Sequence, residues 1–398
     1  MPDAPMPDAP STRPSRRTVI ILLVVGALLV VGAVVALRRG SEPAAGPEPL
    51  AVRIIGLNDL HGNLQPPTGS SGRVQNGGET VEAGGAAFLA THIARLRAGA
   101  PRSVLVSAGD NIGGSPAVSA LFHDEPTIDL LDQLGVAASV VGNHEFDEGF
   151  AELKRMQDGG CHPGDGCRFR PTFDGAAFPF LGANVTDDAG RPALPASTVL
   201  DVGGVRIGVI GATLRSLPTI VTAEATRGLR FGDEIAAIDA ASAQLSAQGV
   251  RAQIVLLHQG DGGTGDPSAC PARLAGAGAT IARGVSPAVD AVFGGHTHQQ
   301  YVCSVPDPAG VPRPYVQGLS FGRLLSVVDL AVDPATGDVL RDRTTAGNEL
   351  VTRDVPPDPA AAALVDEAAT DAAPIANRPA GTITADLLAA AGSSGESP

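Results

Sequence analysis

Between residues 50 and 333 the chain alternates short runs of aliphatic and β-branched residues with longer stretches whose apolar positions return every three or four residues. Val52-Arg53-Ile54-Ile55, Ser103-Val104-Leu105-Val106, Ser139-Val140-Val141, Ile254-Val255-Leu256-Leu257 and Ala291-Val292-Phe293 are runs of strand type. Ala86, Leu89, Ile93 and Leu96 recur at helical spacing and predict a helix over 84–98. Further helices are expected over 125–134 and 233–248, and further strands over 178–184, 205–211 and 315–332. This alternation predicts a mixed α/β domain. Past Pro356-Pro357 an alanine-rich stretch predicts one more helix over 358–374.

Ahead of this body the pattern changes. Residues 18–37 are uncharged and, at about 1.5 Å per residue, would reach roughly 30 Å as a helix, enough to cross a bilayer. Arg13, Arg16 and Arg17 precede the run, and Arg38 and Arg39 follow it. The basic bias places residues 1–17 in the cytoplasm as a tail, with 18–37 as an anchor and the body outside the cell membrane. The alternative is a signal segment removed on secretion. Residues 38–50 are a Pro-rich extended linker.

Of the 398 residues 43% are hydrophobic and 18% charged, a globular composition with length for a large core. With no Trp and 3% aromatic residues, that core must be built mainly from Val, Ala, Leu and Ile. A formal charge of −14, with no basic stripe, argues against a nucleic-acid polymer as partner. A small phosphorylated substrate survives this argument, because bound cations dominate their local field. The four cysteines agree with export. Cys161 and Cys167 bracket a Gly/Pro loop that could close a small ring, and Cys270 and Cys303, in segments flanking the His296/His298 loop, are the natural second pair. Four cysteines allow three pairings, and a second zinc site is the other use, although the spacing matches no zinc ribbon or finger.

Chemistry enters where the five strand-type runs stop. They lead into Asn58-Asp59-Leu60-His61-Gly62, Ala108-Gly109-Asp110-Asn111, Gly142-Asn143-His144-Glu145, His258-Gln259 and Gly294-Gly295-His296-Thr297-His298. In α/β proteins, sites form where loops leave the carboxyl ends of strands, so five such ends can converge on one crevice. Hard oxygen donors mixed with imidazole suit Zn, Mn or Fe better than Ca. The chain therefore reads as a metal-dependent hydrolase.

In type, order and spacing these motifs resemble the calcineurin-like metallophosphoesterases, over roughly Val52 to Asp333. Leu57-Asn58-Asp59-Leu60-His61-Gly62-Asn63, Asn143-His144-Glu145-Phe146-Asp147 and the Ser115-Pro116 pair resemble the 5′-nucleotidase/UDP-sugar hydrolase branch. The resemblance implies a four-layer α-β-β-α sandwich as a catalytic domain over 51–355. Residues 356–398 would then be a linker helix and the start of a second, nucleotide-gripping domain that is cut off in its first motif.

The resemblance also implies two divalent cations. Asp59, His61 and His298 would hold one, Asn143, His258 and His296 the other, and Asp110 would bridge them. Such a pair clamps a phosphoryl group and lowers the pKa of a shared water, whose hydroxide attacks phosphorus in line. His144 would face the substrate, with Asp147 fixing its ring. Asn58 either touches substrate or ties its loop, and Asn184 resembles a family position near the site. One departure is that some relatives carry Gln where this chain has His298, a change that preserves a ligand and shifts metal preference. Asp261 and Asp266 read as solvated loop residues, His92 and His123 as surface or core, and His162 as lacking a partner.

The function implied is hydrolysis of nucleotides outside the cytoplasm: 5′-nucleotidase, 2′,3′-cyclic-nucleotide phosphodiesterase or UDP-sugar diphosphatase. Cleavage of a sulfur-oxyanion thioester is a second enzymatic reading, and a membrane-tethered fragment that binds metal but turns over little is the rival. Metal identity, physiological substrate and oligomeric state are not legible at this level.

Overall fold

The computed structural model describes residues 47–379 apart from 77, 264 and 265, together with residues 16, 17, 20, 21 and 381. The expected membrane segment 18–37 thus lies outside the described residues except for Ile20 and Ile21. Among the described residues no helix is long and apolar enough to cross a membrane. The chain divides after Glu48, and everything below concerns the unit that begins at Pro49.

Two six-stranded sheets form the centre. In the first, the spatial order is Thr345–Leu350, Leu324–Val332, Leu50–Leu57, Ser103–Ser107, Val136–Val140 and Phe180–Leu181. The last four strands run parallel, whereas Leu324–Val332 returns antiparallel, pairing Ile54 with Val328 on one side while Val104 meets it on the other. The second sheet runs Gln300–Pro306, Pro312–Gly318, Ala291–Gly294, Ala252–His258, Val205–Thr213 and Ser197–Val202. Its inner four strands are parallel.

The period of two along each strand sorts side chains between layers. Val52, Ile54, Val104, Val106, Ile207, Val209, Ile254 and Leu256 meet between the sheets. Their neighbours Ile55, Leu57 and Leu105 point the opposite way, into a core shared with helices Ala86–Ala98, Glu125–Leu134, Phe150–Asp158 and Pro359–Ala376. Ile210, Ala212, Val255 and Leu257 face helices Glu234–Ala247 and Ala277–Gly284. Strands buried on both faces read as continuous apolar runs, which is why they were legible. The outcome is an α-β-β-α sandwich.

The expected helices fall at Ala86–Ala98, Glu125–Leu134 and Glu234–Ala247. The expected strand 315–332 is two strands, Pro312–Gly318 and Leu324–Val332, because the intervening Leu319, Phe321 and Gly322 take positive φ and break the extended run. Helix Ala277–Gly284 lacked a sequence signal, being short and rich in Gly and Ala. Arg313, only 1% exposed, donates to Ala282, Val285, Ser286 and Val289 carbonyls and satisfies the carboxyl end of that helix.

Helix Pro359–Ala376 starts on Asp358, whose carboxylate accepts from Ala360 and Ala361 N–H, with Pro at the first position. Ala361, Leu364, Val365, Ala368 and Ala372 form its buried stripe on the first core. The cysteines pair as Cys161–Cys167 and Cys270–Cys303.

Candidate metal centre

All five motif-bearing strands end at the same edge of the sandwich. Leu50–Leu57, Ser103–Ser107 and Val136–Val140 are parallel neighbours in one sheet, and Ala252–His258 and Ala291–Gly294 are parallel neighbours in the other. Their loops must turn back at once to aim side chains across the seam. Asp59, His61, Asp110, His296 and His298 accordingly sit at φ between 47° and 70°, a region that non-glycine residues rarely occupy. Such conformations persist only where surrounding structure holds them.

These loops bring all seven expected ligand residues together. Asp59, His61 and His298 form one group of donors, and Asp110, His258 and His296 another, the donor atoms of each lying within 4.8 Å of one another. Asp110 belongs to both halves, since its Oδ2 is 3.8 Å from His61 Nε2 and 3.1 Å from His258 Nε2. Asn143 Oδ1 stands 2.9 Å from His296 Nδ1 and 3.2 Å from His258 Nε2. His298 Nε2 lies 3.6 Å from Asp59 Oδ1.

The tautomers show that this donor set fits cations. His258 Nδ1 faces the Ala108 carbonyl at 2.7 Å and His61 Nδ1 faces the Gly113 carbonyl at 2.9 Å, so each must donate there. In the neutral rings both Nε2 atoms then carry lone pairs. That of His258 points at the oxygens of Asp110 and Asn143, and that of His61 at His298 Nε2, 3.0 Å away. Buried lone pairs converging in this way require a proton or a cation between them. Carbonyls behind the imidazoles are also what orient metal-ligating histidines.

The electrostatics say the same. Burial pushes Asp59 up to about 7, against the pull of His258. Burial would lower His258, but the Asp110 carboxylate overrides it and raises the ring to about 10. Asp110 itself lies below the ordinary carboxylate range although burial opposes this, because His258 faces it. His296 and His298 fall to about 4, chiefly through burial and secondarily through neighbouring histidines. Without a cation, the Asp110 carboxylate favours a proton on His258.

Two glycines make room for it. A Cβ on Gly142 would stand 2.2 Å from Asp110 Oδ1 and 2.6 Å from His258 Nε2. Gly109, at φ +89°, would press on Gly142 N and His258 Nδ1.

His144 lies at the rim, its ring 4.8 Å from that of His61. Its backbone N–H donates to Asp110 Oδ1 at 2.8 Å, and its ring Nδ1 meets Asp147 Oδ2 at 2.8 Å, which raises the ring's pKa. Asn58 is buried, donating to Asp59 Oδ2 and the Leu319 carbonyl and accepting from Gly318 N–H. Asn184 is buried away from these contacts, its amide engaged with Thr213 and the Gly232 carbonyl.

Two supports escaped the sequence reading. Glu145, 3% exposed, accepts from the backbone N–H groups of Asp110, Asn111 and Gly142 and so ties two ligand loops together. Burial, then the Asp110 charge, raises it to about 7. Its place inside the Gly-Asn-His-Glu motif was the available signal. Asp261 is not a solvated loop residue. It is 4% exposed, accepts from Tyr315 hydroxyl and Ala279 N–H through Oδ2, and receives Thr297 Oγ1 on its carbonyl. Tyr301 hydroxyl lies 2.6 Å from that of Tyr315 and 2.8 Å from Gln317 Oε1, completing a buried polar support beneath the His296-Thr297-His298 loop. His162 also has partners: its ring stacks at 4.0 Å on His123, which bridges Glu148 and Asp165. His92 is buried against the Thr352 carbonyl.

A two-sheet sandwich carrying this aspartate-shared cage defines the class: a metal-dependent phosphoesterase domain. The chain belongs to the calcineurin-like phosphoesterase family, whose sequence model matches residues 52–300. It is 32% identical over 357 residues to Endonuclease YhcR of Bacillus subtilis (strain 168), covering 88% of this chain and 28% of that protein. It is 28% identical over 345 residues to the snake venom 5′-nucleotidase of Gloydius brevicauda, covering 81% of this chain and 51% of that one. Among solved structures, the 5′-nucleotidase precursor from Thermus thermophilus superposes with a TM-score of 0.65 at 23% identity, covering 80% of this chain and 58% of that one, a likeness of fold.

Proposed function

We propose that this protein hydrolyses phosphate esters of nucleotides, in the manner of a 5′-nucleotidase, 2′,3′-cyclic-nucleotide phosphodiesterase or UDP-sugar diphosphatase. The observation that carries the reading is the shared Asp110 between two donor groups, each of which draws residues from both sheets. Asp59, His61 and His298 would hold one divalent cation (Zn, Mn or Fe) and Asn143, His258 and His296 the other, with Asp110 common to both. Two such cations would neutralise charge at phosphoryl oxygens and lower the pKa of a bound water.

The chain's own groups supply the rest. His144 keeps a proton on Nδ1 for Asp147, which leaves Nε2 as the nitrogen through which a protonated ring would donate to a phosphoryl oxygen or to the departing alkoxide. Glu145 and the Ala108 and Gly113 carbonyls hold the ligands in place, so little reorganisation accompanies reaction. Nucleotides are favoured as substrates by the 5′-nucleotidase named among the relatives. Two disulfides and the apolar run 18–37 support a site of action outside the cytoplasm, at the cell membrane or after secretion.

The test is a panel of AMP, 2′,3′-cyclic AMP and a UDP-sugar assayed with protein reconstituted separately with Zn, Mn and Fe. Turnover of at least one member, abolished by chelation and restored by metal, is expected. Two bound metals with no turnover of any phosphoester would remove the proposal.

A further inference from the structure

A cavity of about 400 Å³ adjoins the metal cage and is not used by the chemistry above. Its walls include Asn63, Gln65, Pro66, Thr68, Gly114 and Phe321. Three of these touch the cage. Phe321 makes T-shaped ring contacts with His61 and His298, with centroids 5.9 and 5.4 Å apart, and its backbone N–H donates to the Asp59 carbonyl at 2.7 Å. Asn63 Nδ2 donates to the His61 carbonyl at 2.9 Å. Gly114 lies so close that a Cβ there would stand 3.3 Å from His144 Cε1 and 3.4 Å from His61 Nδ1.

Three features suit the cavity to a ligand. Its volume falls within the roughly 300–1,000 Å³ of small-molecule sites. It is preformed: Arg353 donates to the carbonyls of Pro67 and Gly84 and pins the loop that carries Pro66 and Thr68. Phe321 is held at φ +60°, a strained value for an aromatic residue, and the Arg323 guanidinium lies 5.2 Å over its ring. Among the described residues the lining has no ionisable side chain, although the protein carries a formal charge of −14. An ionised group entering it would find no charged side chain in the lining, whereas a ring with N–H edges would find the side-chain carbonyl oxygens of Asn63 and Gln65, the Asn63 Nδ2 being engaged with the Leu60 and His61 carbonyls.

We propose that this cavity receives the organic part of the ester, an uncharged ring-bearing alcohol such as a nucleoside, stacked on Phe321 while its phosphate occupies the cage. The inference rests on the phosphoesterase reading and specifies which wall chooses the substrate.

The experiment compares kcat/KM for AMP with kcat/KM for glycerol phosphate in the metal-loaded full chain. Phe321→Ala removes the platform, and Thr68→Trp puts a bulky side chain on the exposed wall of the cavity, at a residue outside the cage. Each should lower the AMP-to-glycerol-phosphate ratio at least about ten-fold, the size of one lost base stack, and Phe321→Trp should keep it near the wild-type value. Equal loss on both esters, or an unmoved ratio in Thr68→Trp, overturns the assignment. Cleavage of neither ester by wild-type protein holding two metals would instead sink the phosphoesterase reading, and this inference with it.

Discussion

The Nε2 atoms of His61 and His298 stand 3.0 Å apart although 237 residues separate them in the chain. His61 gives its Nδ1 proton to the Gly113 carbonyl, so the pair meets lone pair to lone pair unless a cation or proton intervenes. The fold holds backbone strain at both residues to arrange this, with φ of 47° and 52°.

Asp110 is the group common to both halves of the cage. Asp110→Asn keeps the shape but removes the negative charge and one strong ligand. Metal content should fall from two toward one or fewer per chain, and phosphoesterase turnover by about a hundred-fold or more. Elemental analysis alongside the assay checks both, and normal turnover with two metals would show the assignment to be wrong.

Gly142 tolerates no side chain, since a Cβ would reach within 2.2 Å of Asp110 Oδ1. Gly142→Ala should weaken metal binding at least ten-fold, read by competition with a chromophoric chelator. Gly347→Ala is the comparison, because among the described residues nothing lies within 4 Å of its Cβ position. Similar losses in both would point to general destabilisation.

Helix Pro359–Ala376 belongs energetically to the first core. Leu364, 5% exposed, is part of its buried stripe. Leu364→Ala should cost about 2–5 kcal/mol in urea unfolding, as core truncations do. A change below about 1 kcal/mol would mean the helix docks only loosely.

Asp290, at the amino ends of strands Ala252–His258 and Ala291–Gly294 and so opposite the ends that carry His258 and His296, supplies a pH signature outside the cage. Burial raises it to about 6 in the folded protein, against the Gln253 N–H and the Arg341 guanidinium. Unfolded, it titrates near ~3.9. The folded state therefore holds the extra proton between about pH 4 and 6, and the stability this contributes is present at the acid end and lost as pH rises through about 6. The stability of wild type minus that of Asp290→Asn should fall between about pH 4 and 7.5 by on the order of 3 kcal/mol. A constant difference in urea titrations would show that Arg341 compensates the buried charge fully.

Strand cores and ligand identities were readable along the chain for a common reason. Parallel strands buried on both faces must be continuous apolar runs, and although a single Asp or His where such a run stops is more often structural, seven ligand-type residues in matching order point to a shared site. Val52, Val104 and Ile254 announced their strands in this way, and Asp59, Asp110 and His258 announced the site.

What remained hidden depends on distance in space. Glu145 looks like any acidic residue of a turn until the N–H groups of Asp110 and Gly142 close on it. Asp261 sits in a glycine-rich stretch that reads as solvated, and only the packing of Tyr315 and Thr297 against it makes it a buried support. Local pattern thus marked the five motif-bearing strands and the residues that carry donors. Tertiary structure alone decided tautomers, the sharing of Asp110, the supports and the cavity beside Phe321, because each is fixed by contacts between segments whose sequences hold no record of one another.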